Sequence, residues 1–346
     1  VPATHLHRLA CDVLTRIGMS EQDATMAADA MVWSDLRGAT NHGVSARVPV
    51  LVSRVRAGAV NPAPTWQVLA STAGVTALDA DRGWGQVAGT RCMKMAIEAA
   101  RKTGVGVATV RNADIAASLG WYANVAIEQS MVGIAFNNSM PLMAPWGGAT
   151  KLLGNQATAM GTPAGRHHPI LFDSALSALS MHAVHAVHSR NESLPENAAL
   201  DADGRPTVDP AAALAGAMLP AAGHRGYGIA VIWEVLTGVL GTGLFAPEVR
   251  NPAEGPVGLT LFCLALDPTA IQPLEVFTGR VDTFIDRIHA STPIDGVERV
   301  RVPGERGFGV AEQQRRDGVL FTADQLTSLR HLADEFGLEW DGATVA

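Results

Sequence analysis

Apolar positions recur at three- and four-residue steps early in the chain, at Leu6, Leu9, Val13, Leu14 and Ile17 and again at Met26, Ala27, Ala30 and Met31. Such spacing lines one face of an α-helix, so residues 4–58 are expected to be helical. Gly58, Pro62 and Pro64 end that unit. The period then changes. Short β-rich runs alternate with helical patterns, predicting a strand at 75–78, a helix over 85–102, a strand at 106–110, a helix over 119–128 and a strand at 132–137.

Residues 141–163 are punctuated by glycine and proline, which predicts loops around a short strand. A strand at 170–172 and a helix over 174–188 follow, and residues 191–210 are polar and turn-rich. A helix is expected from Gly226 through Trp233 to Leu240, a strand at 259–267, and helices over 276–288 and 323–336. The expected organisation is a helical segment, 1–65, packing with a returning segment, 270–346, around a central α/β domain, 66–269.

A length of 346 residues fits about two domains. Hydrophobic residues make up 47% and charged residues 17%, a composition that buries a core instead of staying disordered. The net charge of −7 removes the basic footprint that nucleic acid requires. Cys11, Cys92 and Cys263 lie far apart without CxxC spacing, so neither a zinc site nor a disulfide scaffold is expected, and a cytoplasmic home is the simplest. The opening Val-Pro-Ala-Thr-His lacks a signal pattern and no run approaches a membrane-spanning length, so no membrane partner is expected.

The turn Ser34-Asp35-Leu36-Arg37-Gly38-Ala39-Thr40-Asn41-His42-Gly43-Val44-Ser45, with Arg47 beyond it, gathers an amide, an imidazole, hydroxyls and a guanidinium between two helical patterns. Those groups can bind a carboxylate and move a proton; alternatively, Gly38 and Gly43 merely end one helix and admit the next. Gly83-Trp84-Gly85-Gln86-Val87-Ala88 has the GxGxxA form of a dinucleotide loop, but Arg111 and Asn112 stand where an acidic ribose partner belongs. Close helix packing explains those glycines better. His182, His185 and His188 spread over roughly 120° of a helix and lack an HExxH or nearby carboxylates, so a solvated or interface stripe is favoured over a metal face. Asp201-Ala202-Asp203-Gly204 lacks the later ligands of a calcium loop.

The remaining polar turns are Asn41-His42-Gly43, Ala144-Pro145-Trp146-Gly147-Gly148, Asp173-Ser174, Gly223-His224-Arg225-Gly226-Tyr227-Gly228 and Pro303-Gly304-Glu305-Arg306. With Leu36-Arg37-Gly38, Asp203-Gly204-Arg205-Pro206-Thr207 and Leu236-Thr237-Gly238-Val239-Leu240, their order strongly resembles the malate/L-lactate dehydrogenase family over residues 5–340. The resemblance implies an α/β (α+β) fold: a non-Rossmann NAD(P)-binding domain with a mixed, largely antiparallel sheet, plus a helical domain made by both chain ends. It also implies a homodimeric oxidoreductase using NAD or NADP on a small 2-oxo, 2-hydroxy or cyclic 2-imino carboxylate. His42 takes the position of the family's proton donor and Arg47 that of the carboxylate-binding arginine, with Asn41 and Ile115 also at the substrate. Cofactor contacts fall on Asn155, Asp173, Ser174, Ala175, His224, Arg225, Gly226, Gly304, Glu305 and Arg306.

Departures from the family pattern matter as well. Asp114-Ile115-Ala116-Ala117 stands where the family has Asn-His-Phe-Gly, which puts isoleucine at the position of a second catalytic histidine. Asn155-Gln156-Ala157 replaces Thr-Asn-Pro, Arg225 a lysine and Asn41 a serine, and Arg47 falls one residue late. Losing a general acid–base costs on the order of 10²–10⁴-fold. Asp114 is the first candidate to replace the histidine and His42 alone the second. The alternatives to an oxidoreductase are a non-redox enzyme on the same scaffold and a binding dimer without turnover.

Overall fold

The computed structural model describes residues 1–340. The early helical period resolves into α1 (Ala3–Arg16), α2 (Glu21–Leu36) and α3 (Val44–Arg56). Ser20 starts α2 by accepting the Asp23 N–H, satisfying a donor that the first helical turn leaves open. A single 3-10 turn, Thr40–His42, joins α2 to α3.

Ten strands follow among the described residues: β1 (Gln67–Ser71), β2 (Val75–Asp79), β3 (Val105–Ala113), β4 (Val132–Asn137), β5 (Thr158–Thr162), β6 (Ile170–Ser174), β7 (Ala199–Leu200), β8 (Pro206–Thr207), β9 (Ala217–Met218) and β10 (Leu259–Leu266). Among the described residues the main sheet has seven strands in the order β1-β2-β3-β10-β4-β5-β6, and β7, β8 and β9 form a small second sheet. Within the main sheet β2–β3 is parallel and every other pairing antiparallel, which makes it mixed and largely antiparallel. The central strand β10 sets Cys263 opposite Ala108 on one side and Ala135 on the other. Its near-unbroken apolar run fits a strand covered on both faces.

Helices α4 (Gly85–Thr103) and α5 (Gly120–Ile127) pack on this sheet. A Cβ on Gly85 would lie 2.2 Å from the Asp114 carbonyl oxygen, and one on Gly89 2.4 Å from the Tyr122 ring. Close packing therefore explains Gly85, as its sequence context favoured, and Gly89 serves the same end. Later helices are α6 (Met181–Ser189), α7 (Pro210–Ala215), α8 (His224–Glu234), α9 (Leu274–His289), α10 (Glu305–Asp317) and α11 (Ala323–Glu335).

The N-terminal helices meet the last described helices: the Val1 ammonium donates to the Val319 carbonyl at 2.9 Å, and Leu329 and Leu332 join Leu6, Val13 and Leu14 in one core. A second core lies under the sheet around Met93, Tyr122 and Leu261. α9 rests against the β5–β6 loop, where Asp282 accepts the N–H groups of Gly165, Arg166 and His167.

Several elements differ from expectation. α6 starts at Met181, because residues up to Ser174 belong to β6 and Ser180 caps the helix through the Ala183 N–H. α8 begins at His224 and runs into a π-helical turn, Val235–Val239. β1 is exposed throughout and carries little burial signal, and α10 begins inside the turn expected at 303–306 and runs on to Asp317. No helix among the described residues is long and apolar enough to cross a membrane.

Candidate active site

Asp35, in the last turn of α2, organises the loop that carries His42. The Val44 N–H donates to Asp35 Oδ2 at 2.8 Å, while Oδ1 is buried without a partner. Burial lifts this carboxyl to about 7. Gly43 passes so close that an added Cβ would sit 1.7 Å from Asp35 Oδ1, so only glycine fits there. Arg47, in the first turns of α3, places Nη2 3.2 Å from His42 Nδ1. A guanidinium only donates, so Nδ1 accepts and Nε2 carries the hydrogen of the neutral ring. Burial, with Arg47 and His182 nearby, lowers the imidazole pKa to about 3. Arg47 Nε is buried and has no partner.

His42 and Arg47 open into a cavity of about 920 Å³ that Asn41, Ile115 and Asn155 also line. Five expected site residues therefore share one space. Among the other lining residues, Asn137, His182 and Arg250 had no role in this site assigned from sequence. The Asn137 Nδ2 donates to the Asn138 carbonyl at 2.6 Å, which leaves its buried Oδ1 an acceptor without a donor. Asn155 is fixed by Ser139, whose hydroxyl donates to Oδ1 at 3.0 Å and accepts the Asn155 N–H at 3.2 Å. His182 arrives because α6 opens beside the cavity, whereas His185 and His188 are exposed and do not line it. Periodicity alone contains no signal for that meeting.

Asp114 requires a correction. It is buried but does not line the cavity, and Arg54 grips its carboxylate from Nε at 2.7 Å and Nη2 at 2.6 Å. The Ile115 N–H adds a third donor at 2.9 Å. A carboxylate so engaged is a strut, not a proton source for the cavity.

Asp173, Gly304 and Arg306 line a second cavity of about 450 Å³. Ala39 and Ser118 face this space, and their neighbours Gly38, Thr40 and Ala117 face the first. Asp173 Oδ2 accepts from the Ser118 hydroxyl at 2.9 Å and the Gly120 N–H at 2.8 Å, tying β6 to the start of α5. Arg37 lies between the Trp33 ring, 4.7 Å from the guanidinium carbon, and the Phe308 ring, at 4.1 Å. Burial lowers its pKa to about 10, and its Nη1 is buried without a partner. Glu305 lines neither cavity; it is taken by the Val302 N–H, His289 and Arg299.

Ser174 and Ala175 enter a stitched path. The Leu176 N–H donates to the Asn155 carbonyl and the Ala221 N–H to the Leu176 carbonyl, both at 2.8 Å, just before α8. His224 and Arg225 are exposed at the helix start. A Cβ on Gly226 would strike the Ala221 carbonyl oxygen at 2.0 Å, so this tight entry requires glycine.

The mixed, largely antiparallel sheet sets the fold outside the doubly wound nucleotide-binding class, and the cavity beside it has room for a small molecule. The malate/L-lactate dehydrogenase family profile matches residues 1–330, and the chain belongs to that family. It is 33% identical over 347 residues to malate dehydrogenase of Pyrococcus abyssi, covering 98% of this chain and 95% of that protein. It is 31% identical over 341 residues to the Delta(1)-pyrroline-2-carboxylate/Delta(1)-piperideine-2-carboxylate reductase of Pseudomonas putida, covering 96% of each. The solved structure of sulfolactate dehydrogenase from Methanocaldococcus jannaschii superposes with a TM-score of 0.90 at 32% identity, covering 98% of this chain and 97% of that one.

Proposed function

We propose that this enzyme is an oxidoreductase that uses NAD or NADP to interconvert small 2-oxo and 2-hydroxy carboxylates or to reduce cyclic 2-imino carboxylates. One observation carries the reading: Arg47, with a free Nε, stands beside a neutral His42 in a cavity sized for a small molecule. Free guanidinium hydrogens bind a substrate carboxylate through charge-assisted bonds. His42 Nε2–H then donates to the oxygen on C2, or to the nitrogen of an unprotonated imine, and Ile115 supplies an apolar wall.

The residues present fit a nicotinamide dinucleotide. The orphaned Asn137 Oδ1 calls for an N–H donor such as a carboxamide, and the orphaned Arg37 Nη1 calls for an anion such as a phosphate. Asn155, Asp173, Ser174, Ala175, His224, Arg225, Gly226, Gly304 and Arg306 are the proposed contacts. The start of α8 offers helix N–H groups to a diphosphate, although the Tyr227 N–H is already taken by the Gly223 carbonyl. The bound nicotinamide supplies the hydride chemistry.

A homodimer fits the exposed stripe of Ile229, Ile232, Val235 and Val239 along α8 and its π-helical extension, since a contiguous apolar face of this kind marks an interaction surface. Free Cys11, Cys92 and Cys263 suit a reducing cytoplasm.

The test is thermal unfolding with NAD, NADH, NADP and NADPH in turn, followed by cofactor consumption with a panel of 2-oxo and cyclic 2-imino acids. A stabilising shift with at least one form is expected, because a ligand that binds the native state raises its apparent stability. Silence with all four, or turnover without any nicotinamide, overturns the reading.

A further inference from the structure

With isoleucine at position 115, the reduction of a 2-oxo acid still needs a proton. Among the described residues lining the main cavity, His42, Arg47, His182 and Arg250 are the ionisable ones. A guanidinium donates hydrogen bonds but is not a practical proton source, which sets the two arginines aside. His42 is committed to one tautomer by Arg47, and burial disfavours its charged form. A neutral ring in that tautomer can donate a hydrogen bond, but it cannot give up its remaining proton to a substrate near neutral pH.

His182 differs on each point. It stands in the first turn of α6, lines the same cavity and remains exposed to solvent. No bond to Arg47 ties its ring. The charged or titratable groups it shares the cavity with are His42, Arg47 and Arg250, and α7, which packs along α6, carries no ionisable side chain. Imidazole is also the side chain that ordinarily exchanges protons near neutrality.

We propose that His182 is the proton donor for 2-oxo acid reduction and the acceptor in the reverse direction, while His42 holds and polarises the substrate oxygen. The inference rests on the oxidoreductase reading. In the forward direction C2 receives a hydride from the reduced nicotinamide, the C2–O π pair moves onto oxygen, and oxygen takes the His182 proton. The neutral imidazole then recovers a proton from solvent. A cyclic imine that arrives protonated needs no such donor, because its nitrogen accepts the π pair and becomes a neutral amine.

That difference provides the test. His182→Asn keeps a polar side chain but cannot titrate. It is expected to lower kcat for 2-oxo acids on the order of 10²–10⁴-fold and to remove the limb of the pH profile due to an acid. Cyclic imine reduction by the same variant should stay near the wild-type rate, which excludes general damage. As a readout apart from turnover, affinity for oxamate, an unreactive 2-oxo acid mimic, should weaken as pH rises in the wild type and in His42→Asn but not in His182→Asn. Wild-type turnover with the acid limb intact in His182→Asn overturns the proposal alone, as does wild-type activity confined to imines. Absence of both nicotinamide-dependent turnover and oxamate binding overturns the oxidoreductase reading, and the proposal with it.

Discussion

Arg54 and Asp114 form a buried two-bond pair that ties α3 to the end of β3, immediately beside the cavity-lining Ile115. Arg54→Met leaves the carboxylate buried and unpaired, a change expected to cost about 3–5 kcal/mol. The double variant Arg54→Met/Asp114→Leu should recover much of that loss. Urea unfolding of both checks this, and equal stability of Arg54→Met and wild type would refute a strut role.

Arg47→Met should raise KM for 2-oxo acids far more than it lowers kcat. A hydrogen bond to a charged group contributes about 1.5–3 kcal/mol, which corresponds to roughly 10–100-fold in KM. Steady-state kinetics decides; an unchanged KM would remove Arg47 from the carboxylate site.

Ile115→His puts an imidazole on the cavity wall next to the Asp114 strut. We expect a new titration in the pH profile and a gain in 2-oxo acid reduction on the order of 10-fold or more. Lost packing should lower stability by about 1–2 kcal/mol. A flat profile and unchanged rate would mean that position 115 no longer faces the reacting atoms.

Asp35 makes stability depend on pH. Its folded pKa, about 7, lies above the roughly 3.9 of an unfolded aspartate. Between those values the folded state keeps a proton that the unfolded chain has released, so the contribution of Asp35 is full below about pH 4 and is lost as pH rises through 7. His42 has the opposite sign: its lowered pKa contributes stability that is present at neutral pH and lost on acidification. Comparing wild type with Asp35→Asn isolates the carboxyl. The variant should gain on wild type by up to about 4 kcal/mol between pH 4 and 8, and parallel urea midpoints across that range would contradict this.

Much of the scaffold is legible because it depends on local periodicity. The strand at 132–137 coincides with β4, and the helix expected over 85–102 is α4 with one residue added. The weak GxGxxA run packs α4 against its neighbours, in keeping with a sheet that is not doubly wound. By contrast β1 buries no residue, and α10 has few apolar side chains to mark its period, so neither announces itself. Within the site, Asn41, His42 and Arg47 are neighbours in sequence and could be read together, whereas His182, Asn137 and Arg250 reach the cavity only through tertiary packing. Asp114 misleads for the same reason: sequence shows its adjacency to Ile115 but not the arginine sixty positions earlier that occupies it.

The helical core joins residues from opposite extremes of the chain, with Leu6 and Leu14 packed in the same cluster as Leu329 and Leu332. During synthesis the first three helices emerge long before their final partners exist, and their apolar faces must wait. The central sheet can assemble once β10 has emerged, but the helical layer bearing His42 can close only after α11 leaves the ribosome. The cavity lined by His42 should thus be among the last parts of the molecule to form, and a nascent chain stalled before α11 would display a folded sheet beside an unsealed, chaperone-attracting helical surface.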